Sequence, residues 1–355
     1  VDGAYALSLH SGGTSTLEAP VGGIAALTSL STNTGGSVAI NGGSVTTTGG
    51  QTYNKAVTLG ADTALTSTGS GDIRLGGSLD GVYNLTVNTA GVTRFDDVVG
   101  GTSALTSLTT DAPGSVLMNG SAVTTSGAQT YHDAVTLGAH TTFTSTADSL
   151  HFVSMSDGTS SFDLNLNTAT ALAMNDVDVG GNLHVTVKSG GVSQQAGTSL
   201  NIGGTATFTA DTGAHQVAAL TSANNTFTGV LTLDQTHNGS WADVSVTTDA
   251  ALTLGPLQSG GAVDLQTQGA LTTSTVSASG DFNISSHGGA VSLGAATVSG
   301  TMTVQTAGGS VAQTGQFVVT HDMSVTAGAG SITLMDALNS FGGTLALQGT
   351  STSVA

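Results

Sequence analysis

Apolar and polar residues alternate in short bursts along this 355-residue chain, and glycine-containing turns separate the bursts. The pattern is clearest in the last third. GDFNISSHGGAVSLGAATVSG starts at Gly280, TMTVQTAGGSVAQTGQFVVTHD at Thr301, MSVTAGAGSITLMDALNSFGG at Met323 and TLALQG at Thr344. Successive side chains of a strand point to opposite faces. Phe282 with Ile284, Met302 with Val304, Met323 with Val325 and Leu345 with Leu347 therefore share one face and are expected to stack inward as ladders. Each segment holds three such pieces, which predicts one turn of a three-sided parallel β-helix. The second pieces add Val291 with Leu293, Val311, and Ile332 with Leu334. Val298, Phe317 with Val319, and Leu338 with Phe341 offer a third inward side. Asn283, Thr303 and Ser324 are expected to face water, and the Gly-Gly pairs at 288–289, 308–309 and 342–343 to form corners with positive φ.

A longer period overlies this rhythm. QTYNKAVTLGADTALTST, from Gln51, returns as QTYHDAVTLGAHTTFTST, from Gln129, with 13 of 18 positions identical. The same offset relates DGAYALSLHSGG at Asp2 to DGVYNLTVNTAG at Asp80, and VGGIAALTSL at Val21 to VGGTSALTSL at Val99. Duplication of this kind marks a stacked array whose coils are stabilised by their neighbours. The expected organisation is all-β: a single continuous parallel β-helix, or β-solenoid, over residues 1–355. Residues 1–156 make two copies of the 78-residue repeat, 157–355 are diverged coils, and each coil takes about 20–22 residues. One repeat unit would hold about four coils. Strand candidates in the first half are Tyr83–Val87, Val92–Phe95, Ala104–Leu108, Ser115–Met118, Thr130–Leu137 and Thr141–Ser145. A string of immunoglobulin-like sandwiches is the rival, because the repeat unit approaches the size of one such domain. Trp241 as the single tryptophan, and a short rhythm that outlasts the long one, favour the solenoid.

Composition supports strands: 52 glycines, 3 prolines, 4% aromatics, and Val, Leu, Ala and Ile set among Ser and Thr. The net charge of −18 comes from scattered aspartates, against only Lys55, Arg74, Arg94 and Lys188. Without clustered basic residues, nucleic acid is not an expected partner. The acidity reads as a solvated surface. No apolar run reaches membrane-spanning length, and no charged-then-apolar leader opens the sequence. With no cysteine, disulfides and thiolate metal sites are excluded.

Candidate chemistry is sparse. Ser286-His287-Gly288 matches a short element of polygalacturonase-like enzymes, and Asp96 with Asp97 forms an adjacent carboxylate pair, but hydrolysis needs carboxylates that converge on one face. The nine histidines, from His10 to His321, form no HxH or HExxH arrangement. Gly69 to Asp72 matches part of a calcium nonapeptide without recurring, and Asp176 with Asp178 lies on one strand face, where a solvated acidic face is the expected reading. Thr66 to Thr68 lacks the in-register array that ice binding needs. Sequons at Asn84, Asn119, Asn224, Asn238 and Asn283 arise readily in so Ser- and Thr-rich a chain. No catalytic, cofactor or metal residues are assigned, and no enzyme activity is expected.

GGNLHVTVKSGGVSQ from Gly180, GGTATFTA from Gly203, and the paired phrases ANNTFTGVLTL from Ala223 and ALNSFGGTLAL from Ala337 together resemble the filamentous-haemagglutinin-like exoproteins of Gram-negative bacteria. The resemblance implies a right-handed parallel β-helix shaft exported by two-partner secretion and acting in attachment or cell-to-cell contact. It supplies no binding residues. The family's amino-terminal secretion module, with its Asn-Pro-Asn signature, does not occur in the sequence, so a shaft segment of a longer extracellular or cell-surface fibre is expected. Its partners would be a host or neighbouring cell surface or glycan, with end-to-end self-association where strand edges are left unpaired. The alternative is a carbohydrate-binding or carbohydrate-cleaving β-helix.

Overall fold

The computed structural model describes residues 1–211, 216–235 and 241–355. Every regular element among them is a β-strand, and the strand pairings are parallel. The chain is a parallel β-solenoid. It forms two compact units, Val1–Ala169 and Thr170–Ala355.

In the second unit the ladders take the expected register. Phe282 pairs with Met302, Met302 with Met323, and Met323 with Leu345; Ile284, Val304, Val325 and Leu347 follow two positions on. Each of these coils is thus one residue longer than the coil before it. All these side chains are buried except Leu345 and Leu347 in the last coil, which are half-buried. The second side stacks Leu271, Val291, Val311 and Ile332, and the third stacks Ala296 on Phe317 and Val298 on Val319. Asn283, Thr303 and Ser324 point outward and are half-exposed, because each lies flat against its neighbour in the next coil.

Two expectations are corrected. Leu338 does not join the third side; it is 70% exposed on a turn. The residue that engages the coil there is Asn339, whose Oδ1 accepts the Phe317 backbone N–H at 2.9 Å. Among the three Gly-Gly pairs only Gly308 has a positive φ, of 119°. Glycine is needed at these corners chiefly for room: a Cβ on Gly309 would lie 2.0 Å from the Gly289 carbonyl oxygen, and one on Gly342 would lie 2.2 Å from that of Thr320.

The first unit has three sides as well. Ala6–Leu9, Ser29–Thr32, Gln51–Tyr53, Ile73–Leu75, Val92–Phe95 and Ser115–Met118 stack on the first. Thr14–Leu17, Ser37–Ile40, Ala56–Leu59 and Leu79–Asp80 stack on the second, continued by a bridge at Val99. Ser44–Thr47, Thr63–Ser67, Asn84–Thr89 and Ser107–Thr110 form the third, which Val21 joins by a bridge to Val45. Val92–Phe95, Ser115–Met118 and Thr141–Ser145 match the expected bounds, and Gln129–Leu137 and Asn84–Thr89 come close to theirs. Ser107–Thr110 starts later than expected because Asp80 Oδ1 holds the Thr102 and Ser103 backbone N–H groups in a corner.

The repeat is not a whole number of coils. Ala6–Leu9 lies on the first side, whereas its equivalent in the second copy, Asn84–Thr89, lies on the third. Ser37–Ile40 lies on the second side and its equivalent, Ser115–Met118, on the first. Eleven strand positions separate equivalent segments, three full turns and two sides of a fourth. The sequence expectation of about four coils was therefore one side too many, and the second copy is turned by one side relative to the first.

Candidate functional site

Both repeat copies build the same buried polar clasp. Gln51 donates through Nε2 to the carbonyls of Val45 and Thr66, both at 3.0 Å, and Tyr53 OH donates to Gln51 Oε1 at 3.0 Å. Gln129 and Tyr131 repeat it, with Nε2 bonds to Val123 at 3.2 Å and Thr144 at 2.9 Å and a Tyr131 to Gln129 bond of 3.1 Å. Burial pushes both phenols up from their ordinary value, so they stay protonated donors. The second unit uses a different clasp. Gln194 and Asn225 exchange side-chain amide hydrogen bonds of 2.7 and 2.8 Å, and Asn225 also binds Leu200 N and the carbonyls of Leu220 and Thr247. Gln313 and Asn339 make the same reciprocal pair. The paired phrases at Ala223 and Ala337 thus mark coil positions where an asparagine locks onto the glutamine of the preceding V-x-Q strand.

The residues singled out as candidate chemistry are dispersed. Asp96 is gripped by Arg74 Nε at 2.6 Å and by Arg94 Nε, while Asn119 donates to it at 2.6 Å and Arg74 reaches Asn54 at 2.8 Å. Burial alone would raise the Asp96 carboxyl, but the hydrogen bonds from Arg94, Asn119 and Arg74 outweigh it and hold the group below its ordinary value. It is thus held as an anion. Asp97 does not pair with it; exposed, it accepts its neighbour Val98 N at 2.7 Å. Ser286 belongs to a buried corner ladder with Thr248, Thr267 and Thr306 and binds the carbonyls of Gly269 and Gly289 at 3.0 Å, while His287 is exposed on the turn beyond. Asp176 and Asp178 are exposed on one face, and Asp176 accepts Ser199 N at 2.8 Å. No cluster of three or more His, Asp or Glu placed to hold a metal occurs among the described residues. Asn84 accepts the Ser107 hydroxyl at 2.7 Å, Asn224 is exposed, and Asn238 lies outside the described residues.

The scattered aspartates do more than carry charge. Asp62, Asp72, Asp243, Asp281 and Asp322 each accept a backbone N–H of the following coil, from Asn84, Val92, Ala262, Thr301 and Thr344, at 2.7 to 2.9 Å. Each satisfies a donor at a corner where the sheet ladder is interrupted. Asp72 of the GSGD element is one of these brackets.

One corner stands apart. At equivalent positions of three successive coils the first copy places Ser11, Asn33 and Lys55, and the second places Thr89, Asp111 and Asp133. Lys55 is 3% exposed, and its Nζ lies 3.4 Å from the Ser11 carbonyl, 3.4 Å from Ser15 Oγ and 3.3 Å from Asn33 Oδ1. Asp133 is equally buried, yet neither carboxylate oxygen has a hydrogen-bond partner, and the hydroxyls of Thr93 and Thr110 are likewise buried without one. Burial pushes the Asp133 carboxyl up. The Thr110 hydroxyl opposes the shift from nearby without bonding geometry, the Asp111 charge adds to it, and His132 opposes it. Composition carries no sign of this corner; the signal that could have found it is the charge reversal from Lys55 to Asp133 between two otherwise similar segments.

No helix among the described residues is long and apolar enough to cross a membrane. Comparison with curated proteins and with solved structures returns no match. A family model described as repeats of unknown function (DUF5649) matches residues 161–234, 242–297 and 279–348, just over half of the chain. The matches begin nine residues before the second unit and otherwise lie within it, and the chain belongs to this repeat family.

Proposed function

We propose that the protein is a structural and adhesive segment of a long extracellular bacterial surface fibre that acts in attachment or cell-to-cell contact. The observation that carries this reading is what the duplication repeats: the buried Gln51–Tyr53 clasp recurs as Gln129–Tyr131 with the same partners, while the second copy turns by one side of the coil. A duplication that keeps this buried clasp and turns the copy by one side extends a scaffold without multiplying one surface site. The resemblance to filamentous-haemagglutinin-like exoproteins supports the same class, with secretion to the cell surface and a cell surface or glycan as partner. Continuation in a longer chain, or pairing of strand edges between molecules, is the mode of assembly this reading carries.

The test is immunogold electron microscopy of the producing cells with an antibody raised against this chain. Label on fibres at the outer surface is expected. Label confined to the cell interior would overturn the reading. Release of reducing sugar ends from a polysaccharide panel, lost in Asp96→Asn, would replace it with the carbohydrate-cleaving alternative.

A further inference from the structure

The oxygens that surround the buried Lys55 ammonium in the first copy have counterparts around Asp133. The Ser11 carbonyl, Ser15 hydroxyl and Asn33 Oδ1 become the Thr89 carbonyl, Thr93 hydroxyl and Asp111 Oδ1. The local frame is kept, because Thr89 N donates to Asp111 Oδ1 at 2.8 Å as Ser11 N donates to Asn33 Oδ1 at 3.2 Å. Oxygens also converge on the corner glycine of the second copy: a Cβ on Gly114 would lie 2.6 Å from the Thr89 carbonyl, 3.0 Å from that of Gly91 and 3.1 Å from Asp133 Oδ1. What the second copy lacks is the cation. A corner with one positive side chain, beside a neutral asparagine, has become a corner with two carboxylates and no lysine or arginine, with the exposed His132 on the opposite strand face. A buried carboxylate without a partner, as Asp133 is, is costly, and the half-buried Asp111 carboxylate beside it adds like charge.

We propose that the corner formed by Thr89, Thr93, Asp111 and Asp133 binds a divalent cation, calcium by the nature of its donors, at the place the Lys55 ammonium fills in the first copy. Carboxylate, hydroxyl and carbonyl oxygens are hard donors, and no thiolate or imidazole contributes, which disfavours zinc and copper. Calcium accepts six to eight oxygens in irregular geometry, whereas magnesium demands a regular octahedron that a corner shared by three coils does not provide. Two negative charges match the ion's two positive ones. The donors come from three successive coils, so the ion would tie them together as Lys55 ties Ser11, Ser15 and Asn33.

The experiment is thermal unfolding and titration calorimetry of the whole chain, first stripped with a chelator and then given calcium, magnesium or sodium chloride. Calcium should raise the Tm in a concentration-dependent way and bind with one-to-one stoichiometry, with a smaller response to magnesium and none to sodium. Asp133→Asn should abolish the calcium response, and Asp97→Asn, at an exposed turn, should keep it. The double variant Asp111→Asn/Asp133→Lys restores the first copy's arrangement and should melt in chelator above the stripped wild type while ignoring calcium. A wild-type Tm indifferent to calcium, or an equal calcium response in Asp133→Asn, would overturn the proposal. Should Asp133→Asn fail to fold, a calcium response retained by the double variant would overturn it instead.

Discussion

Aspartate and asparagine are the residues that close this solenoid's corners, because a short side chain with an acceptor oxygen reaches the backbone N–H that the sheet ladder leaves unpaired. Asp281 is the clearest case. The Thr301 backbone N–H and then its hydroxyl hold the Asp281 carboxyl below its ordinary 3.8, against a smaller opposing effect of burial. A folded-state value below the unfolded one means that the contribution is present above pH 3.8 and is lost as pH falls through the lower folded value. Asp281→Ala is expected to cost about 0.5–1.5 kcal/mol at pH 7, the scale of a lost helix cap, with the difference from wild type shrinking toward pH 3. Asp281→Asn should cost less at neutral pH, since Asn182 Oδ1 makes the same contact with Thr205 N at 2.9 Å. Urea melts across that pH range check both; an Asp281→Ala penalty unchanged at pH 3 would show that the carboxylate is not the bracket. The count of aspartates was plain in the sequence and read as a solvated surface. That they bracket coils was not, because the partner N–H lies a whole coil away along the chain and only the coil length brings it near.

At the scale of the strand, the two-residue period settled which side chains go inward. Phe282, Met302 and Met323 stack as the alternation required, since a slip of one residue would turn every apolar side chain of the strand to water. Ile284→Asp is expected to cost about 3–5 kcal/mol, by placing a carboxylate between Leu265 and Val304, whereas Asn283→Asp should fall within about 0.5 kcal/mol of wild type. Equal drops in Tm for the two variants would contradict the inward assignment. Short turns were harder to read. Leu338 is apolar and its alternation predicts an inward position, yet Asn339 beside it offers an amide that satisfies the Phe317 N–H and the Gln313 side chain together. Hydrogen-bond satisfaction outweighed burial of one leucine there, and alternation carries no information about that contest.

At the scale of the molecule, the long repeat makes a direct prediction about the first unit. Removing residues 51–128 joins Gly50 to Gln129, so that Gln129–Leu137 follows Ser44–Thr47, the repeat equivalent of the Ala122–Thr125 strand it now follows. The coils after the junction would then meet the same packing turned by one side. The shortened chain should keep its β-sheet circular dichroism and unfold cooperatively, with a Tm within about 10 °C of the parent. Loss of sheet signal would mean that the three sides are not interchangeable. The sequence by itself determined that the fold is all-β, that it repeats, that three short strands make a coil, and which alternate residues form the core, because strand periodicity and glycine punctuation are local properties of a chain. Only the tertiary structure decided which side each repeat occupies, where the glutamine and asparagine clasps close, and that Lys55 and Asp133 fill equivalent buried corners. Those features depend on contacts 15 to 44 residues apart, and such contacts exist only once the length of the coil is fixed.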